Sequence, residues 1–265
     1  MGPYAALIRA GFQRYSAYPL ATIAGAMTNT VFGLLRASVT TGVIVSGGGA
    51  VGGYSYATAV SYAWVSQALI APIHVFMWDD LALRIRSGDI AIDLARPIEL
   101  QTQYLLADLG RAAYQVLPRA VPPLAVGALT FGLVLPAAVQ PYLTGLLSLL
   151  LAICISFNCR YLVNLTACWL LDARGALTVY IVISNMLSGM LIPVAWFPRW
   201  LSVLAHATPF PSMLQAPADL ITGRIHGLGP ALGLLGVQLA WVAALFAGCR
   251  LATRMATRTL VVHGG

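Results

Sequence analysis

The chain has 265 residues, of which 59% are hydrophobic and only 9% charged. A soluble domain carries roughly 25% charged residues, so this composition excludes an ordinary water-soluble enzyme and points to an integral membrane protein. The net charge of +7 comes wholly from arginine. With no basic domain apart from the apolar runs, it reads as the arginine excess of cytoplasmic loops and not as a nucleic-acid surface.

Residues 4–18 come first. Tyr4, Ile8, Phe12 and Tyr15 share one helical face and Arg9, Gln13 and Ser16 the other, which predicts an amphipathic helix lying in the membrane interface. Pro19 opens an apolar run that is longer than a signal-peptide core and has no small-residue cleavage site after it, so a retained first span is expected over 19–37. The stretch SGGGAVGG (46–53) reads as a flexible loop. Its Gly47, Gly49 and Gly52 fit GxGxxG, but a dinucleotide site needs a strand before them and a helix after, and here they join two spans. Span two is expected over 54–78, with His74 as an interface residue near its inner end.

A polar region, 79–119, follows and contains RIRSGDIAIDLARP (84–97). Ser87-Gly88 interrupts helix, Ser87 or Asp89 can cap the next one, and Arg96-Pro97 ends it. Asp89–Ala95 therefore reads as a short helix at the membrane surface. Residues 99–117 form a further amphipathic helix, with Leu100, Tyr104, Leu105 and Leu109 set against Gln101, Asp108 and Arg111. Two readings of this island stand: a solvated loop whose charges fix topology, or a docking element for a soluble partner.

Span three is expected over 120–138, and a proline-bounded loop (136–141) leads to span four. That span runs from Tyr142 to Leu171 and is interrupted by Asn158, Arg160 and Asn164. DARG (172–175) is a tight loop before span five, 176–194, which carries Asn185. Residues 193–224 hold five prolines and are too broken to span. Span six covers 229–250, and Arg250, Arg254 and Arg258 follow.

Six spans place both termini on one side. With the termini inside, eleven arginines lie inside, Arg36, Arg199 and Arg224 lie outside, and Arg160 lies within span four. This bias predicts a multi-pass protein of the cell membrane with cytoplasmic termini, a cytoplasmic 79–119 region and an extracytoplasmic 193–224 segment. A charge deep in a span costs about 3 kcal/mol or more. Arg160 therefore either reaches the inner interface and pairs there, or lines a pathway. Asn158, Asn164 and Asn185 carry the same two readings, with interhelical hydrogen bonding the default.

All eight acidic residues fall in expected loops or loop-proximal helices, which argues against proton or sodium coupling. The four cysteines form no CxxC pair, so neither a metal site nor a disulfide framework is indicated. The sequence contains no GxxxxGK[ST], and no Ser/His/Asp or metal-ligand constellation stands out.

The order of features resembles that of the ABC-2-type transporter permeases. RIRSGDIAIDLARPIEL is similar to the loop these proteins carry after the second span, through Arg86, Gly88, Ile90, Leu94 and Pro97. LSGMLIPVAWFPRWLSVLAHATPF resembles their proline-rich re-entrant segment, through Pro193, Phe197, Pro198, Trp200, Leu201, Pro209 and Phe210. With LLDARG (170–175), the resemblance to the short, single-domain branch covers essentially the whole chain.

The resemblance implies an all-α integral membrane protein over 1–265. Six transmembrane helices would be joined by an N-terminal interfacial helix, a cytoplasmic coupling helix and an extracytoplasmic re-entrant hairpin between helices five and six. It implies a permease subunit that does no bond chemistry and binds no cofactor itself. ATP and magnesium would sit on two separate ABC ATPase subunits, and a second permease, identical or related, would face this one among membrane lipids. The coupling residues would be Arg84, Arg86, Ser87, Gly88, Asp89, Ile90, Asp93, Leu94, Arg96 and Pro97. Pro193, Phe197, Pro198, Trp200, Pro209 and Phe210 would form an outer gate, and Asn158, Arg160, Asn164 and Asn185 are the candidate pathway residues. The cargo would be a hydrophobic or amphipathic compound (a drug, lipid or natural product) moved outward, as in multidrug efflux. The alternative reading of the residues is an ion-coupled secondary transporter or a channel.

Overall fold

In the computed structural model, which describes residues 2–73, 76, 78–170 and 172–263, the chain is mostly helical. His74 and Leu171 lie outside the described residues. α1 (Pro3–Ser16), α2 (Pro19–Ser46) and α7 (Gln140–Leu165) each carry a proline at one of their first two positions. Proline suits that position because the missing N–H has no intrahelical acceptor there.

α1 packs along the first half of α6 (Leu100–Phe131). Their contact is set by two glycines. A Cβ on Gly11 would lie 2.0 Å from the Ala107 carbonyl oxygen, and one on Gly110 would lie 1.9 Å from that of Ile8. Close backbone approach of this kind is how helices associate in a medium with no hydrophobic drive between them. Tyr4, Ile8 and Phe12 stay exposed, an apolar strip in keeping with an interfacial helix.

Several expected boundaries are corrected. α2 runs nine residues past the expected end at 37, to Ser46. Its hydroxyls bond back to carbonyls one turn earlier, as Thr30 Oγ1 does to Ala26 at 2.9 Å, so they do not break the helix. The supposed flexible loop holds a hairpin. Ala50–Val51 (β1) pairs antiparallel with Tyr54–Ser55 (β2) across Gly52 and Gly53, both at positive φ as a tight hairpin turn requires.

Residues 99–117 and the expected third span are one helix, α6, with Pro118, Pro122 and Pro123 inside it. Pro123 cannot donate to the Arg119 carbonyl, and Asn29 Nδ2 from α2 donates there at 3.2 Å instead. α8 (Arg174–Leu187) stops well short of the expected 194, and at about 21 Å it is shorter than a hydrocarbon core. α11 (Leu228–His263) extends beyond the expected 250.

α3 (Tyr56–Ile73) is the centre of the molecule. Nearly every residue from Ala59 to Ile73 is buried, and α2, α6, α7 and α10 (Gln215–Ile221) pack around it. A helix apolar on all sides belongs in such a position. Elsewhere large apolar side chains point outward, among them Leu20, Met27, Leu143, Leu232 and Leu251. Among the described residues two helices, Gln140–Cys168 and Leu228–Arg258, are long and apolar enough to cross a bilayer by length and composition alone.

Candidate functional site

The polar island folds as two short helices bent at a glycine. α4 (Asp80–Ser87) ends on Gly88, whose φ of 82° gives the left-handed cap that only glycine adopts without strain. α5 (Ile90–Leu94) follows at once and matches the expected helix to within a residue at each end. Leu81, Ile85 and Ile90 pack on Phe157, Tyr161 and Leu165 of α7 and on Cys249 and Ala256 of α11. The island is thereby glued to the two most clearly membrane-competent helices.

Asp93 is the brace. Its Oδ2 accepts Arg84 Nε at 2.6 Å and the Tyr104 hydroxyl at 3.0 Å, and Arg96 stands 3.8 Å from Oδ1. The hydrogen bond to Asp93 holds the Arg84 guanidinium above its ordinary pKa. Ser87 Oγ donates to Asp89 Oδ2 at 2.8 Å and fixes the bend. Arg86 reaches Asp172 at 3.7 Å, so two of the three sequence strings that carry the family resemblance meet in space. Outward-facing groups are Arg86, Asp89, Ala91, Ile92 and Arg96, whereas Ile90 and Asp93 are buried. Leu94 and Pro97 are exposed beside Arg96.

The candidate pathway residues sit between helices and bond within the chain. Asn164 Oδ1 accepts the Ala82 N–H at 3.0 Å, and its Nδ2 donates to the Trp78 carbonyl at 2.7 Å. It thus caps α4, whose own N-cap Asp79 makes no side-chain cap bond. Asn158 Oδ1 accepts Gln101 Nε2 at 2.7 Å. Arg160 NH2 donates to Asp108 Oδ2 at 2.9 Å, and Arg111 Nε donates to Oδ1 at 2.7 Å. Arg111 also caps the end of α3 through the Ala71 and Pro72 carbonyls at 2.8 and 2.9 Å. Asn185 is half-buried on α8, and its Oδ1 has no hydrogen-bond partner among the described residues.

Asp93, Asp108 and Asp219 are buried, each with an arginine. In the proline-rich segment 193–224, Asp219 accepts the Tyr54 hydroxyl at 2.9 Å, Gln215 Nε2 at 2.7 Å and Arg224 NH1 at 2.9 Å. Gln215 Oε1 accepts the Val194 N–H at 2.9 Å. Pro193, Pro198 and Pro209 each precede a short helical turn: 194–196, α9 (Arg199–His206) and 210–212. Phe197 and Phe210 pack inward on Leu187, Val194 and Ala205, while Trp200 faces out.

Arg36 was placed by sequence in an outer segment, and this is corrected. It lies inside α2 with NH2 3.2 Å from the Gly189 carbonyl. Sequence reasoning also missed Asn29, Gln67, Gln215 and Asp219 as structural centres. Asn29 and Arg36 were within reach, since two polar residues seven apart share a helix face.

The family model described as ABC-2 family transporter protein matches residues 34–264. No curated protein matches the chain.

Proposed function

The chain belongs to the ABC-2 family of transporter proteins, and we propose that it is the single transmembrane domain of an ATP-driven exporter, powered by separate ATPase subunits that bind ATP and magnesium. In this reading α2, α3, the second half of α6, α7, α8 and α11 are six membrane passages, with both termini and the α4–α5 island in the cytoplasm. A second permease, identical or related, completes the pathway, and the cargo is hydrophobic or amphipathic.

The observation that carries the reading is the construction of α5. Gly88 ends the helix before it, Asp93 ties it to Arg84 of α4 and Tyr104 of α6, and Ile92 is left 59% exposed on a stretch that also exposes Arg86, Asp89 and Arg96. An apolar knob ringed by charge suits a groove in a soluble partner. Because Ile90 packs on α7 and α11, a push on α5 reaches those helices directly. The candidate pathway residues take a different role here: Asn164 and Arg160 hold α4 and α6 on α7, so they transmit the push.

The test is purification from native membranes. The reading expects an ATPase to co-purify and Ile92→Asp to abolish its recovery while leaving the chain folded. Recovery of the chain free of any ATPase, with transport that follows an ion gradient, favours the secondary-transporter reading and defeats this one.

A further inference from the structure

An open groove of about 660 Å³ runs along α2, between it and α3, α6 and the Met190–Leu191 rim. That size falls within the roughly 300–1,000 Å³ of small-molecule sites. Phe32, Leu35 and Val39 give it an apolar wall that is largely exposed. Arg36 and Arg119 also line it, and none of the described residues around it is acidic.

These two arginines differ from the others held among the helices. Arg111 and Arg160 meet Asp108, and Arg224 meets Asp219. Among the described residues, neither Arg36 nor Arg119 meets a carboxylate. Among the described residues Arg36 meets only neutral groups: Gln67 Oε1 at 3.5 Å, the Gly189 carbonyl at 3.2 Å and the Tyr62 ring, whose centroid is 6.0 Å from Cζ. Arg119 Nε is buried with no hydrogen-bond partner among the described residues. Gly25 leaves its guanidinium room on α2, where a Cβ would sit 1.8 Å from NH1. Between them Gln67 Nε2 donates to Asn29 Oδ1 at 2.7 Å, which fixes the floor.

A guanidinium in apolar surroundings is costly unless a counter-charge meets it. Two of them on one groove call for an anion from outside, and the apolar wall calls for that anion to carry an apolar body. We infer that the groove binds an amphipathic organic anion, its phosphate or carboxylate head drawn by the charges of Arg36 and Arg119 and its chain along Phe32, Leu35 and Val39, and that this anion is the cargo. Only the word cargo rests on the transporter reading.

The test is titration of the purified chain, in neutral detergent, with decyl phosphate and with decanol. Decyl phosphate is expected to bind at least about tenfold more tightly, as charge-assisted bonds require. Arg36→Gln and Arg119→Gln should each weaken it about tenfold and leave decanol unchanged, which controls for folding, and Arg36→Lys should restore most of the loss. Equal binding of the two probes, or phosphate binding indifferent to both glutamine variants, overturns the inference. In nanodiscs, full displacement of decyl phosphate by phosphatidylglycerol would make the groove a bilayer-lipid site and overturn the cargo assignment. Co-purification of an ATPase without decyl phosphate binding defeats this inference alone, and binding without any ATPase partner defeats the transporter reading alone.

Discussion

Arg84 donates from Nε to Asp93 Oδ2 at 2.6 Å, so the bond spans the Gly88 break and ties α4 to α5 as one bent unit. Loss of the arginine should loosen the bend more than it destabilises the protein. The Arg84 side chain is 36% exposed, and such pairs contribute no more than about 1 kcal/mol. Arg84→Ala is therefore expected to fold and to bind its ATPase but to transport several-fold more slowly. A parallel measurement of assembly and transport checks this, and equal loss of both would show that the bond serves folding.

Asn164 should matter out of proportion to its size. It supplies the N-terminal cap of α4 from another helix and also holds the Trp78 carbonyl. Asn164→Ala is expected to cost about 1–2 kcal/mol, the range of a lost cap. Hydrogen exchange over 78–88 should rise while exchange within α7 stays level. Asn164→Asp keeps the acceptor and should recover part of the loss.

The buried charges around Asp108 make an ordered prediction. Removing Asp108 leaves Arg111 and Arg160 without the carboxylate they share, whereas removing Arg160 leaves Asp108 still bonded to Arg111. Asp108→Ala should therefore destabilise by about 3–5 kcal/mol and Arg160→Ala by clearly less. Thermal unfolding of both in one detergent gives the comparison. Arg160→Ala is further expected to lower expression without altering which compounds are transported, and a change in selectivity would return Arg160 to the pathway.

Gln215 joins three parts of the chain: the 194–196 turn, β2 and α10. Its side chain accepts the Val194 N–H and donates to both the Tyr54 hydroxyl and Asp219. Gln215→Ala leaves these buried groups without their partner at about 1–3 kcal/mol. Faster exchange over 188–198 should follow, with no change around α5.

The island between Asp79 and Pro97 was legible because its punctuation is local: Gly88 and Pro97 stop helix by their own backbone chemistry. The family resemblance was legible for the same reason, since its strings sit at that punctuation. The true length of α2 was not, because Ser38, Thr40 and Thr41 lower its hydropathy while hydroxyl bonds such as Thr41 to Ser38 meet their cost inside the helix. The unity of α6 was hidden because proline reads as a break. It persists because Asn29, ninety residues earlier, donates to the carbonyl that Pro123 leaves free. The buried roles of Asp108 and Asp219 depend on arginines 52 residues away (Arg160) and, across a turn, five residues away (Arg224). Only the folded chain shows which of these pairs forms.

In the proposed reading, α5 presents Ile92 to an ATPase. A photo-reactive amino acid in place of Ile92, activated in native membranes, is the test of that contact, with the adduct identified by mass spectrometry and the same residue in place of the exposed Trp200 as the control. Adducts with an ATP-binding subunit are expected from position 92 and none from position 200. Adducts from position 92 confined to lipid or to integral membrane proteins would contradict it.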